Sequence, residues 1–109
     1  MSKLKFIDAC IEGDALLDEI DDYIDEWHDG DSSEEIYEFL GMTQKEYRLW
    51  VEDEGTLKYI IKSHLKNKDI DDLLIEEGYG DEKLVARAEN PEEGKFIYKW
   101  LVRNGKIKE

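Results

Sequence analysis

Carboxylates are the reactive side chains this 109-residue chain holds in excess. It has 29 Asp and Glu against 15 Lys and Arg, for a net charge of −14. Grouped carboxylates can hold a hard cation, act as a paired acid and base, or meet a cationic surface. The densest group runs from Asp14 to Asp31, with nine acids and no Lys or Arg. Asp25, His28, Asp29 and Asp31 lie close enough in sequence to suggest a cation site. A calcium loop, however, needs Gly at its sixth position and Glu at its twelfth. Counted from Asp29, those positions hold Glu34 and Leu40, so the motif fails. A transition-metal site would need converging His or Cys, and the chain has only His28, His64 and Cys10. No metal and no cofactor is expected.

Catalytic motifs fare no better. Cys10 falls in an apolar helical pattern, where a small buried residue is the usual explanation. There is no Gly-x-Ser-x-Gly elbow, phosphate loop, Gly-x-Gly-x-x-Gly or His-Glu-x-x-His. Acid pairs such as Glu92-Glu93 suit helix starts through the macrodipole. The sequence reads as that of a non-enzyme. A metal-dependent or hydrolytic enzyme is the alternative of another class, with little to support it.

The third use fits the spacing. A helix from Asp14 to Gly30 would turn Leu16, Leu17, Ile20, Tyr23, Ile24 and Trp27 to the core. Asp18, Asp22, Asp25 and Asp29 would then line the outer face, spanning roughly 16 Å at ~1.5 Å per residue. Glu19, Glu26 and Asp31 extend that candidate partner-binding surface. Phosphates of a nucleic-acid strand repeat on a similar scale, ~3.4 Å along the duplex axis. Such a row could occupy a groove built for nucleic acid. The alternative is a solvated face, but solvated helices usually mix signs at i, i+4, and this one carries no base.

Helix signals position the row. Leu4, Ile7, Cys10 and Ile11 form an opening helix that stops at Gly13. Asp14 is the expected cap of the second helix, and Ser32 with Glu35 reads as a capping box for a short helix closed by Gly41. Thr43 with Glu46 repeats the box before Tyr47, Trp50 and Val51. Further helices fit Leu57 to Lys66, Ile70 to Glu77 behind Asp69, and a last one starting at Asn90-Pro91. Leu84, Val85, Ala86 and Ala88 fit a short helix and equally a strand paired with residues 73–75; helix is adopted. The fold class is therefore all-α, a compact bundle of about six short helices, with a small β element near 73–88 as the alternative. Trp27, Tyr37, Phe39, Tyr47 and Trp50 are expected in the core, and Tyr79 in an exposed turn.

The charge is divided unevenly along one expected domain, 1–109. Residues 1–54 hold 18 acids and four bases, whereas residues 55–109 hold 11 of each. This balance argues against direct nucleic-acid binding and against adhesion to anionic membranes. Apolar runs are too short for a membrane span, Asp8 and Glu12 interrupt any signal-peptide core, and one cysteine suits a reducing compartment. The expected location is a bacterial host cytoplasm. Lys95, Lys99, Arg103, Lys106 and Lys108 make the last helix basic at its end, which would suit its dipole or a homodimer contact with an acidic half.

Ile24-Asp25-Glu26-Trp27-His28, then Glu38-Phe39-Leu40-Gly41-Met42-Thr43 and Glu46-Tyr47-Arg48-Leu49-Trp50-Val51, resemble a pattern in small bacterial and mobile-element proteins of antitoxin-like type. The resemblance covers residues 14–54. It implies a helical module without catalytic residues. Size, acidity and charge placement resemble a second group, the anti-CRISPR and antirestriction inhibitors of phages, which imitate nucleic acid. The function expected is a non-enzymatic inhibitor that fills the basic groove of a nuclease or other nucleic-acid-processing protein. An antitoxin neutralising a basic toxin is the alternative.

Overall fold

A computed structural model describes residues 4–30, 33–81 and 90–107. All regular structure among them is helical, as the sequence pattern requires. The helices are α1 (Phe6–Glu12), α2 (Ile20–Asp29), α3 (Ile36–Leu40), α4 (Gln44–Glu52), α5 (Leu57–Lys66), α6 (Ile70–Glu76) and α7 (Pro91–Arg103). Short 3-10 turns, Leu17–Glu19 and Glu54–Thr56, lead into α2 and α5. Residues 73–76 belong to α6, so the strand alternative fails there. Residues 82–89, the other half of that alternative, lie outside the described residues, as does the expected cap Ser32. The chain divides into two compact units, Met1–Leu65 and Lys66–Glu109.

In the first unit, Phe6 and Ile7 of α1, Leu40 of α3, Leu49 of α4 and Ile60 of α5 are fully buried. The Phe6 ring meets Tyr23 of α2 edge-on, with centroids 5.2 Å apart. Glycine fixes the turns between these short helices. Gly41 ends α3 with φ +88°, and a Cβ there would stand 3.2 Å from the Lys5 Cβ. Only glycine meets both the backbone and the space requirement. Gly13 ends α1 in the same conformation, with the Asp14 N–H donating back to the Ala9 carbonyl (2.8 Å). Asp14 thus belongs to the end of α1 and does not cap α2. The cap comes from the other side of the entry turn, where the Leu16 N–H donates to the Glu19 carboxylate.

The second unit buries Ile70, Leu73 and Leu74 of α6 and Ile97, Trp100 and Leu101 of α7. Asn90 Oδ1 accepts from the Glu93 N–H (3.2 Å), and Pro91 follows at the first helical position. That start was legible in the sequence. Asp69 occupies the N-cap position of α6, but its side chain makes no cap hydrogen bond. Gly78 (φ +98°) turns the chain after α6, and the Tyr79 N–H returns to the Leu74 carbonyl (3.0 Å). Tyr79 is half-buried, not an exposed loop anchor.

Candidate functional site

The acidic helix is shorter than its sequence pattern predicts. Leu16 and Leu17 precede α2 and stay exposed, at 69% and 44%, because the chain is still leaving α1. Ile20 is the first buried residue of the stripe, followed by half-buried Tyr23, Ile24 and Trp27. Trp27 was expected inside. It sits at the helix end, donating its indole N–H to the Glu34 carbonyl (2.9 Å) and meeting the His28 ring edge-on at 5.0 Å. Tyr37, Phe39 and Tyr47 are likewise half-buried, while Trp50 is buried.

The candidate acids separate into three groups. Asp22, Asp25 and Asp29 are exposed on α2 at i, i+3 and i+7, a row of about 10 Å at ~1.5 Å per residue. Among the described residues, the ion pairs of Lys5, Lys66, Lys68 and Lys106 go to other acids. Asp18 is exposed but lies in the 3-10 turn, so the four-residue row anticipated from sequence is broken at its first member. Glu19 is committed to the Leu16 cap, and Glu26 is already engaged within the molecule. Asp31 lies outside the described residues. The nearby base Lys5 is drawn to Glu34 (2.9 Å) and to the Glu38 carbonyl, away from the row.

Asp18 instead joins a groove that sequence spacing did not reveal. The groove has a volume of about 440 Å³ between the α2 entry turn and the link from α4 to α5. Buried Ile20, Trp50 and Leu57 form an apolar base, and exposed Leu17 forms one side. Asp18, Asp21 and Glu54 bring three carboxylates to its edge, with Lys58 the sole base of the lining. The Lys58 ammonium sits 5.2 Å above the Tyr59 ring. The α4–α5 link is held by Asp53, whose carboxylate accepts from the Gly55 N–H (3.0 Å) and whose carbonyl accepts from the Thr56 hydroxyl (2.7 Å). Residue 18 lies more than thirty positions before residues 50 and 54, so no local pattern could group it with them.

A contact between a buried carboxylate and a half-buried histidine was also missed. Glu46 of α4 is 4% exposed, and its carboxylate oxygens accept from His64 Nε2 of α5 at 2.9 and 3.1 Å. The same carboxylate accepts from the Thr43 N–H (2.8 Å), while the Thr43 hydroxyl accepts from the Glu46 N–H (3.1 Å). The capping box was evident from Thr43 and Glu46; its third member, 18 residues on, was not. The hydrogen bond to Glu46 holds the His64 pKa above its ordinary value, with burial opposing and the Glu46 and Asp8 charges assisting. This pair ties α4 to α5.

Burial, aided by Glu19, pushes the Cys10 thiol upward. Less thiolate makes a poorer nucleophile at neutral pH. Among the described residues, no three His, Cys, Asp or Glu side chains converge as a metal site, and no helix is long and apolar enough to cross a membrane. Comparison with protein-family models, curated proteins and solved structures gives no match.

Proposed function

We propose that the protein is a non-enzymatic acidic inhibitor whose α2 face docks into the basic groove of a nucleic-acid-processing protein and excludes its substrate. The observation that carries this reading is the exposed row Asp22, Asp25 and Asp29, with none of the described ion pairs drawn to it. Maintaining like charges on one helix face costs stability, and a cationic partner would relieve that cost. The charges would chiefly speed association and select the partner, while apolar and hydrogen-bonded contacts hold the complex. An antitoxin that neutralises a basic toxin would use the same face, and the resemblance across residues 14–54 favours it as the second reading.

The test is capture of partners from bacterial lysate by the parent and by a variant with Asp22, Asp25 and Asp29 changed to Lys. Reversal leaves the net charge negative, so solubility is retained, and Lys is a good helix former. The parent should retain basic nucleic-acid-binding proteins at low salt and release them to added duplex DNA. The variant should retain none of them. Equal recovery by the variant, or indifference to DNA, would reduce the row to a solvated surface. A nuclease among the captured proteins would choose the first reading, and a toxin the second.

A further inference from the structure

We propose that the groove between the α2 entry turn and the α4–α5 link seats an arginine side chain of the partner. The proposal rests on the acidic-inhibitor reading and supplies the anchor that a row of exposed charges lacks. Charges on a helix surface steer an encounter, but hot spots are desolvated pockets that receive a large side chain, often Trp, Tyr or Arg. The groove has the dimensions of a pocket and lies at the N-terminal end of the acidic helix. Its volume of about 440 Å³ falls in the ~300–1,000 Å³ range of ligand sites.

Its chemistry selects the occupant. Apolar Leu17, Trp50 and Leu57 suit a hydrocarbon stem or a flat group, while Asp18, Asp21 and Glu54 place three negative charges at the mouth. A nucleotide or other anion would be repelled. A wholly apolar side chain would leave the carboxylates facing desolvation without a counter-charge. Lysine would satisfy the charge, but its compact ammonium is strongly hydrated and cannot stack. Arginine meets both demands, because its methylene stem covers apolar surface and its planar guanidinium stacks on aromatics and forks to carboxylates. Lys58, the only base in the lining, lies over Tyr59 and leaves the edge with a net negative charge. Arginine is also the residue that a phosphate-binding groove supplies in quantity.

The test uses the full chain and three synthetic Gly/Ser-spaced decapeptides carrying three arginines, three lysines or three citrullines. Affinity is measured by calorimetry at low salt, and the Trp50 indole N–H is followed by NMR. The arginine peptide should bind at least fivefold more tightly than the lysine peptide, with no binding of the citrulline peptide, and should shift the Trp50 resonance. Changing Asp18→Asn, Asp21→Asn and Glu54→Gln together should weaken it tenfold or more. Leu17→Ser, at an exposed position, should weaken it at least threefold, and both variants should melt with the parent. Equal binding of arginine and lysine peptides, or an unmoved Trp50 resonance, overturns the proposal. If neutralising Asp22, Asp25 and Asp29 abolishes binding while the groove variants retain it, the groove assignment falls and the acidic-face reading stands. If neither set alters binding, both fall.

Discussion

The two units handle charge in different ways. Met1–Leu65 holds 18 acids and six bases, and Lys66–Glu109 holds 11 and nine. In the second unit the opposite charges meet. Lys66 reaches Glu76 at 3.2 Å, Lys68 pairs with the same carboxylate, and Lys106 approaches Asp72 at 3.4 Å. Lys68, then Lys66, hold the Glu76 carboxyl below its ordinary value, although such an exposed pair is worth little to stability. In the first unit, among the described residues, Glu46 pairs with His64 and Lys5 with Glu34, neither involving Asp22, Asp25 or Asp29. The lesson is that acid content alone does not mark a binding face. An acid already paired inside its own unit must lose that partner before gaining another; among the described residues, none of these ion pairs holds Asp22, Asp25 or Asp29.

The largest effect should come from reversing charge in one unit and then in the other. Asp22, Asp25 and Asp29 changed to Lys should cost a captured partner several kcal/mol, about a hundredfold or more in Kd, through like-charge juxtaposition. Reversal of Glu76, Glu77, Glu92 and Glu93 in the second unit should change Kd less than threefold. Equal losses from both would erase the contrast between the units.

Next comes the Glu46–His64 pair of the first unit. Glu46→Ala should destabilise by about 2–4 kcal/mol in urea melts, through loss of the cap and of the His64 partner. The pH dependence has a definite sign. The folded-state pKa of His64 is raised, so its contribution is complete below about pH 6.5 and lost as pH rises through that folded value. Parent minus His64→Gln stability should therefore be greater at pH 6 than at pH 8. A pH-independent difference would mean that His64 remains neutral beside Glu46.

Trp27→Ala tests how the acidic helix is anchored. A fully buried Trp would cost ~3–5 kcal/mol, but half-burial with one indole hydrogen bond argues for about 2 kcal/mol. A loss near 5 would mean that the end of α2 is more deeply packed, with the row turned accordingly. The smallest effects compare two caps. Asn90→Ala in the second unit should cost ~1 kcal/mol, and Asp14→Ala in the first under ~0.5, because only Asn90 accepts a cap hydrogen bond. Equal thermal shifts for the two would restore Asp14 as a cap.

The helices were legible because their signals are local. Gly13 and Gly41 stop α1 and α3, Thr43 and Glu46 start α4, and Asn90-Pro91 starts α7, each through residues a few positions apart. The exposure of Asp22, Asp25 and Asp29 follows equally from the 3.6-residue period. The helix-start pattern at Asp14 misled for a related reason. The Asp14 N–H closes α1, and α2 starts only at Ile20 after a 3-10 turn capped from Leu16, so Asp14 does not stand at the N-cap position. Which of two locally acceptable motifs forms depends on packing beyond them.

Sequence by itself therefore determined the all-α class and the outward acidic row of α2, since both follow from periodicity and short-range capping. Tertiary structure alone decided that Asp18 and Asp21 join Glu54 at an apolar groove, and that Glu46 meets His64. Those groupings cross turns whose directions are set by backbone conformation at Gly41 and by the hydrogen bonds of Asp53, and hydrophobic burial then fixes the helices in place. A one-dimensional charge pattern records how many carboxylates a segment carries. Only the folded chain determines which of them already have a cation beside them.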